Sequence, residues 1–97
     1  MFSINLNGKG SVHLAGRFDA SQVEVANAVL DRITATTRVD FKELEYISSA
    51  GLGALLRTQK RLSATGHKLI LANMNKLILD IFKIARFDMI FQIEQGG

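Results

Sequence analysis

A chain of 97 residues with 47% hydrophobic and 22% charged side chains has apolar material for one core and, at a net charge of +3, too little self-repulsion to stay unfolded, so a single domain spanning residues 1–97 is expected. Cysteine is absent and the two histidines, His13 and His67, stand apart without carboxylates at ligand spacing; a disulfide framework is excluded, and neither a metal nor a cofactor is expected. The twelve Lys and Arg are scattered and only one Tyr and six Phe are present for stacking, which argues against nucleic acid; the start MFSINLNGKG has no signal-peptide pattern and no apolar run nears the roughly 20 residues of a membrane helix, so no membrane association and a cytoplasmic location are expected.

Along the chain, Phe2, Ile4 and Leu6 alternate with polar residues, Asn7 to Gly10 form a turn, and a second alternation follows at Val12 and Leu14. This predicts a hairpin. From Ser21 the period lengthens: Val23, Ala26, Leu30 and Ile33 recur at helical spacing, predicting a helix over 21–34 with Asp19 or Ser21 as its cap. Thr37 to Ile47 holds Val39, Phe41, Leu44, Tyr46 and Ile47 and is expected to be a short buried strand. Leu52, Leu55, Leu56, Gln59 and Leu62 trace the stripe of a second helix over 50–64, with Thr65 and Gly66 as its stop. The run KLILA, Lys68 to Ala72, is expected to be an interior strand covered on both faces. Asn73 or Asn75 then caps a third helix with Leu77, Ile78, Ile81, Phe82 and Ala85 turned inward, and Met89 to Ile93 is expected to form a last short strand. No proline, linker or repeat interrupts the pattern. The alternation predicts an α/β fold, a mixed four- to five-stranded sheet with about three to four helices packed on it, and the opening hairpin argues against purely parallel order.

The stretch YISSAGLGALL, Tyr46 to Leu56, places Ser48 and Ser49 at a strand-to-helix turn. The first amides of a helix have no internal partners and the helix end carries roughly half a positive charge, so an anion is welcome there. One serine serves as an N-cap worth about 1 kcal/mol. The second is left for another purpose, and Ala50, Gly51, Leu52 and Gly53 keep the surface shallow enough for another protein's backbone to approach. On this reading Gly51 is needed for close approach of the partner rather than for folding alone, and Gly51→Arg is expected to lose partner binding with its thermal stability largely kept. A phosphate at the turn adds about −1.5 to −2 charges against the positive helix end, changing the surface while the fold is kept.

Three segments in order, LAGRFDAS (Leu14 to Ser21), VDFKELEYISSAGLGALL (Val39 to Leu56) and HKLILANMNKLILDIFKIARFDMIFQI (His67 to Ile93), resemble a STAS domain of the anti-sigma factor antagonist type. They are similar to that family's Gly-x-x-Asp segment, its strand, phosphorylation loop and second helix, and its closing strand, helix and terminal strand. The resemblance covers almost the whole chain. It implies a STAS-like fold and partner switching: the unphosphorylated domain binds a GHKL-type serine kinase that is also the anti-sigma factor, phosphorylation on the loop releases it, and a PP2C-type phosphatase restores it. The domain is then a substrate and a binding surface, not an enzyme. The family loop often reads Asp-Ser-Ser-Gly or Asp-Ser-Thr-Gly with the acceptor directly before the glycine, whereas here Ala50 holds that position. The Ser-Ser-Ala-Gly form makes Ser49 the candidate acceptor, with Ser48 the alternative. Ser48 also replaces the usual aspartate and leaves Asp19 as the acidic neighbour. The partner-binding set implied is Asp19, Ser48, Ala50, Gly51, Leu52 and Gly53.

Enzymatic readings fail on the residues. A dinucleotide fingerprint from Gly51 and Gly53 needs a third glycine where Leu56 stands, no Gly-Lys-Ser/Thr phosphate loop occurs, and only His13 or His67, without a supporting motif, is present to activate Ser49. The remaining alternative is a STAS domain with inert serines, acting as a scaffold or a ligand-sensing subunit of a transporter or signalling assembly. Arg57, Lys60 and Arg61 form a basic side of the second helix that is either solvated or faces an acidic partner, and Phe87 is either a core residue or a second contact.

Overall fold

The computed structural model describes residues 2–7 and 9–94. Strands β1 (Phe2–Leu6) and β2 (Ser11–Phe18) form the expected antiparallel hairpin, with Ile4 opposite Leu14. In its turn the Asn7 carboxamide oxygen accepts from the amides of Lys9 at 2.9 Å and Ser11 at 3.1 Å, and Gly10 takes a left-handed φ of 77°. Gly8 of that turn lies outside the described residues. The chain continues through α1 (Val23–Leu30), β3 (Thr37–Ile47), α2 (Ser49–Ser63), β4 (Leu69–Ala72), α3 (Lys76–Ile84) and β5 (Gln92–Glu94). The five strands lie in chain order in one sheet, antiparallel only between β1 and β2, and each parallel neighbour is reached through a helical crossover.

One face of the sheet is buried and the other is open. Val12, Leu14 and Phe18 of β2 are buried while His13 and Arg17 are exposed, as a two-residue period requires. Along β3 the buried positions run Val39, Phe41, Leu44 and Ile47, a spacing that widens from two residues to three. Two bulges account for it: His13 and Ala15 pair with Asp40 and Glu43, and Gly16 and Arg17 pair with Leu44 and Tyr46, so β3 twice carries an extra residue. Each bulge returns an apolar side chain to the core and bends the strand. Together they bring Ile47, and so the serines after it, level with Phe18 at the end of β2.

Several expected boundaries are corrected by tertiary contacts. The helix predicted over 21–34 is a 3₁₀ turn at Ala20–Gln22 followed by α1, which stops at Leu30. Beyond it the amides of Arg32 and Ile33 bond three residues back, to Val29 and Leu30, and the Arg61 guanidinium donates to the carbonyl oxygens of Leu30 (2.9 Å) and Ile33 (2.8 Å). Ile33 is thus buried without being helical. In β4, Leu69, Leu71 and Ala72 are buried and Ile70 is half-buried, so the expected covering on both faces is incomplete at that one position. Asn75, not Asn73, caps α3, accepting from the Ile78 amide at 2.9 Å, and Asn73 takes a left-handed φ of 61°. Of the α3 residues expected inward, Ile78 and Phe82 are buried, Ile81 is half-buried, and Leu77 and Ala85 are exposed. The strand expected at Met89 to Ile93 is a 3₁₀ turn at Phe87–Met89 followed by β5, because Arg86 at φ 61° diverts the chain first. Phe87 packs at the edge of the core, its ring 6.4 Å from Phe82 and 6.1 Å from Phe91.

Candidate functional site

The end of β3 and the start of α2 are tied to the end of β2. Ser48, extended at φ −89°, donates its amide to the Phe18 carbonyl at 2.9 Å and accepts from the Gly51 amide on its side-chain oxygen at 3.3 Å. Its own carbonyl takes the first helical hydrogen bond, from Leu52 at 2.9 Å. Ser48 is therefore the N-cap, and Ser49 is the first residue of α2 and exposed. The amides of Ser49 and Ala50 precede the first helical bond, and no acidic residue stands in this first turn to neutralise the positive end.

Only part of the predicted partner-binding set reaches the surface. Ser49 and Gly53 are exposed and Ser48 and Ala50 are half-buried, but Gly51 and Leu52 are buried. The expectation that a large side chain at Gly51 leaves stability largely intact is overturned by packing. A Cβ at Gly51 would stand 2.8 Å from Ile47 Cγ1 and 2.9 Å from the Phe18 carbonyl oxygen. Glycine is needed there so that α2 can lie against the β2–β3 ends. Asp19 caps the 3₁₀ turn before α1: its carboxylate accepts from the Ser21 hydroxyl at 2.6 Å and the Ser21 amide at 3.0 Å. The Ser21 hydroxyl bond is the main reason its carboxyl is held below the ordinary value of 3.8. Asp19 follows Phe18, to which Ser48 is bonded, but among the described residues its hydrogen bonds go to its own turn rather than to either serine.

Beside the serines a recess of about 300 Å³ opens between the start of α2 and α3. Tyr46, Ile47 and Leu52 form one wall, Ile81, Ile84 and Ala85 the other, and Ser48 and Ser49 supply its polar rim. The Arg17 guanidinium sits 4.6 Å from the Tyr46 ring centroid, though Arg17 itself does not line the recess. The α3 wall and Arg17 were not singled out from the sequence. The readable signal is that α3 is apolar on more than one side, with Leu77 and Ile84 outside the Ile78–Phe82 stripe, whereas a helix with a single contact needs one.

Two of the three residues of the basic side of α2 are engaged within the chain: Arg57 pairs with Asp31 at 3.1 Å and Arg61 holds the end of α1, while Lys60 is exposed. Neither histidine lines the recess; His13 lies 3.4 Å from Asp40 and His67 accepts from the Thr36 amide at 3.2 Å. No helix among the described residues is long and apolar enough to cross a membrane.

The family profile described as the Mlab STAS domain matches residues 4–93. The chain belongs to the STAS domain family. It is similar to the STAS-domain containing protein PA14_20770 of Pseudomonas aeruginosa, at 27% identity over 86 residues covering 86% of this chain and 85% of that protein. Among solved structures this STAS domain resembles tm1081 of Thermotoga maritima, assigned as an anti-sigma factor antagonist, with a TM-score of 0.80 at 17% identity over 100% of this chain and 87% of the other. It also resembles the Bacillus cell fate determinant SpoIIAA in its phosphorylated form, with a TM-score of 0.73 at 19% identity over 100% of this chain and 92% of that one. The unphosphorylated form of SpoIIAA, an anti-sigma factor antagonist, gives a TM-score of 0.72 at 19% identity, covering 100% and 90%. At these identities the structural likeness speaks for the fold.

Proposed function

We propose that this STAS domain is an anti-sigma factor antagonist-like regulator in a bacterial partner-switching pathway. Unphosphorylated, it docks on a GHKL-type serine kinase that doubles as an anti-sigma factor; phosphorylation of Ser49 releases it, and a PP2C-type phosphatase resets it. In this scheme the domain has no catalytic activity of its own and works in the cytoplasm. The observation that carries the reading is the separate placing of the two hydroxyls: Ser48 is engaged as the cap, while Ser49 stands exposed at the positive end of α2 beside an apolar recess. A phosphate on Ser49 meets unpaired amides on its own side, so the fold accommodates it. The match of this fold to both forms of SpoIIAA supports that expectation. A partner packed on the recess must instead desolvate new charge, and tenfold weaker binding needs only about 1.4 kcal/mol.

The test is phosphopeptide mapping after incubation with a GHKL-type kinase and ATP, joined to calorimetric titration of unmodified, Ser49→Ala, Ser49→Asp and phosphorylated protein against that kinase. One phosphate on Ser49 and weakened binding of the modified form are expected, with melting curves retained. Full modification of Ser49→Ala, or a phosphate on Ser48, refutes the site; equal affinity of all four forms refutes the switch. That last result selects the second reading, a scaffold or ligand-sensing subunit of a transporter or signalling assembly with inert serines. The apolar recess favours it to the extent that such a surface needs no phosphate to bind.

A further inference from the structure

The sheet ends on one side at β1, whose outer edge pairs with no other strand among the described residues. Which backbone groups stand on that edge follows from the turn. The Asn7 amide bonds to the Ser11 carbonyl at 2.9 Å and so points toward β2. Amide directions alternate along an extended strand, so Ser3 and Asn5 also face β2, and the N–H and C=O groups of Phe2, Ile4 and Leu6 point outward. Such a row of donors and acceptors is matched, group for group, by another extended chain.

Edges of this kind are ordinarily guarded by a charge, a proline or a bulge. β1 reads FSINL and has none of them, since its register with β2 runs from Phe2–Gly16 to Leu6–Val12 without a shift. The nearest charged side chain along the chain is Lys9, in the turn beyond the strand. The opposite edge differs: β5 has three residues and carries Glu94, which is paired with Arg38. The order of FSINL is also self-complementary. In antiparallel pairing about Ile4, Phe2 stands opposite Leu6 of a second copy, Ser3 opposite its Asn5, and Ile4 opposite its Ile4. The residues with outward backbone groups then face one another, Phe2 with Leu6 and Ile4 with Ile4. A two-fold axis perpendicular to the sheet preserves its faces, so apolar residues meet on the core side and Ser3 meets Asn5 on the open side.

The helix above the edge agrees. α1 packs over β1 and meets α2 on one flank, where Asp31 pairs with Arg57. At about 100° per residue Val25 lies on the other flank, which looks out over the β1 edge. Val25 is 53% exposed, and the other large hydrophobics left open among the described residues belong to α3 and the segment after it. The geometry points to a homodimer joined through β1, in which two copies pair antiparallel about Ile4 into one continuous sheet and the Val25 flanks of both α1 helices border the junction on the same face. A short strand pair makes a small interface, so association is weak and depends on concentration. The recess and Ser49 belong to β3, α2 and α3 and stay open in the dimer, so the inference is independent of the phosphorylation reading. A strand from another protein is the other occupant an edge admits; the uncharged, self-complementary order favours a second copy.

Sedimentation equilibrium of the whole chain from about 10 µM to about 1 mM tests this, joined to amide exchange. The mass is expected to rise from one chain toward two, and the amides of Ile4 and Leu6 to become protected as concentration rises, while that of Asn5, already bonded to β2, does not change. Ser3 and Asn5 are exposed, so replacing them should leave the melt unchanged. The double variant Ser3→Lys, Asn5→Lys sets like charges opposite each other across the axis and is expected to weaken the dimer about tenfold or more. Ser3→Lys with Asn5→Glu sets Lys opposite Glu in that register and is expected to restore it. A chain that stays monomeric throughout, a dimer unaffected by the two lysines, failure of the Lys–Glu variant to restore it, or protection confined to other residues overturns the inference.

Discussion

Replacing Gly51 by alanine sets a local gain against a packing cost, and the structure decides the sign. Gly51 lies in the first turn of α2, where alanine is favoured over glycine by about 1 kcal/mol. The added methyl, however, would stand 2.8 Å from Ile47 Cγ1, 2.9 Å from the Phe18 carbonyl oxygen and 3.1 Å from Phe18 Cγ. The Ile47 side chain has some freedom to turn. The Phe18 oxygen has little, because it accepts the Ser48 amide at 2.9 Å and Phe18 is paired with Ile47 across the sheet. Relief requires moving α2 away from the strand ends, so the cost falls near the upper end of the roughly 1–3 kcal/mol typical of overpacking. The net expectation is a loss of about 2 kcal/mol, or a melting temperature lower by about 8–16 °C for a domain of this size. Thermal and urea melts of wild type and Gly51→Ala measure it. Stability equal to or above wild type would show that helix propensity wins and that α2 is free to shift outward.

Gly53, two residues on, has nothing within 4 Å of an added Cβ, so Gly53→Ala is expected to stabilise by about 0.5–1 kcal/mol in the same melts. Arg61→Met keeps the aliphatic stem but removes both donors to the Leu30 and Ile33 carbonyls; a loss of about 1–2 kcal/mol and faster amide exchange at residues 31–33 are expected. Burial pushes the Asp40 carboxyl up, but bonds from the Lys42 amide and the Asn73 side chain, with the charges of His13 and Arg38, outweigh it and hold it below 3.8. Its contribution is therefore full above about pH 5 and lost as pH falls through the lowered folded value, so urea midpoints of Asp40→Asn should lie below wild type near pH 7 and converge on it toward about pH 2.

Local signals were enough where a segment's neighbours agreed with its own pattern. The hairpin, β3 over Thr37–Ile47 and α2, expected at 50–64 and found at Ser49–Ser63, were legible because alternation, period and capping residues all act within a few positions. The uneven spacing of Val39, Phe41, Leu44 and Ile47 was legible as a strand but not as two bulges, since a bulge is a relation between β3 and β2. Likewise Ile33 keeps the helical period of α1 while standing outside it, because the carbonyls that end the helix are satisfied from α2 by Arg61.

For the candidate site, the sequence by itself determined that two hydroxyls stand where a strand turns into the positive end of a helix, because caps and helix polarity are properties of consecutive residues. Tertiary structure decided which of the neighbouring small residues meet solvent. Gly51 reads as an open position in the chain and is closed by Phe18, thirty-odd residues earlier, while Leu77 and Ala85 read as core and are left outside because Ile78 and Phe82 are the α3 residues that are buried, Phe82 against Phe41 and Phe91. Burial is settled by what packs from elsewhere in the sequence, and an apolar side chain's own chemistry is the same on either side of that boundary.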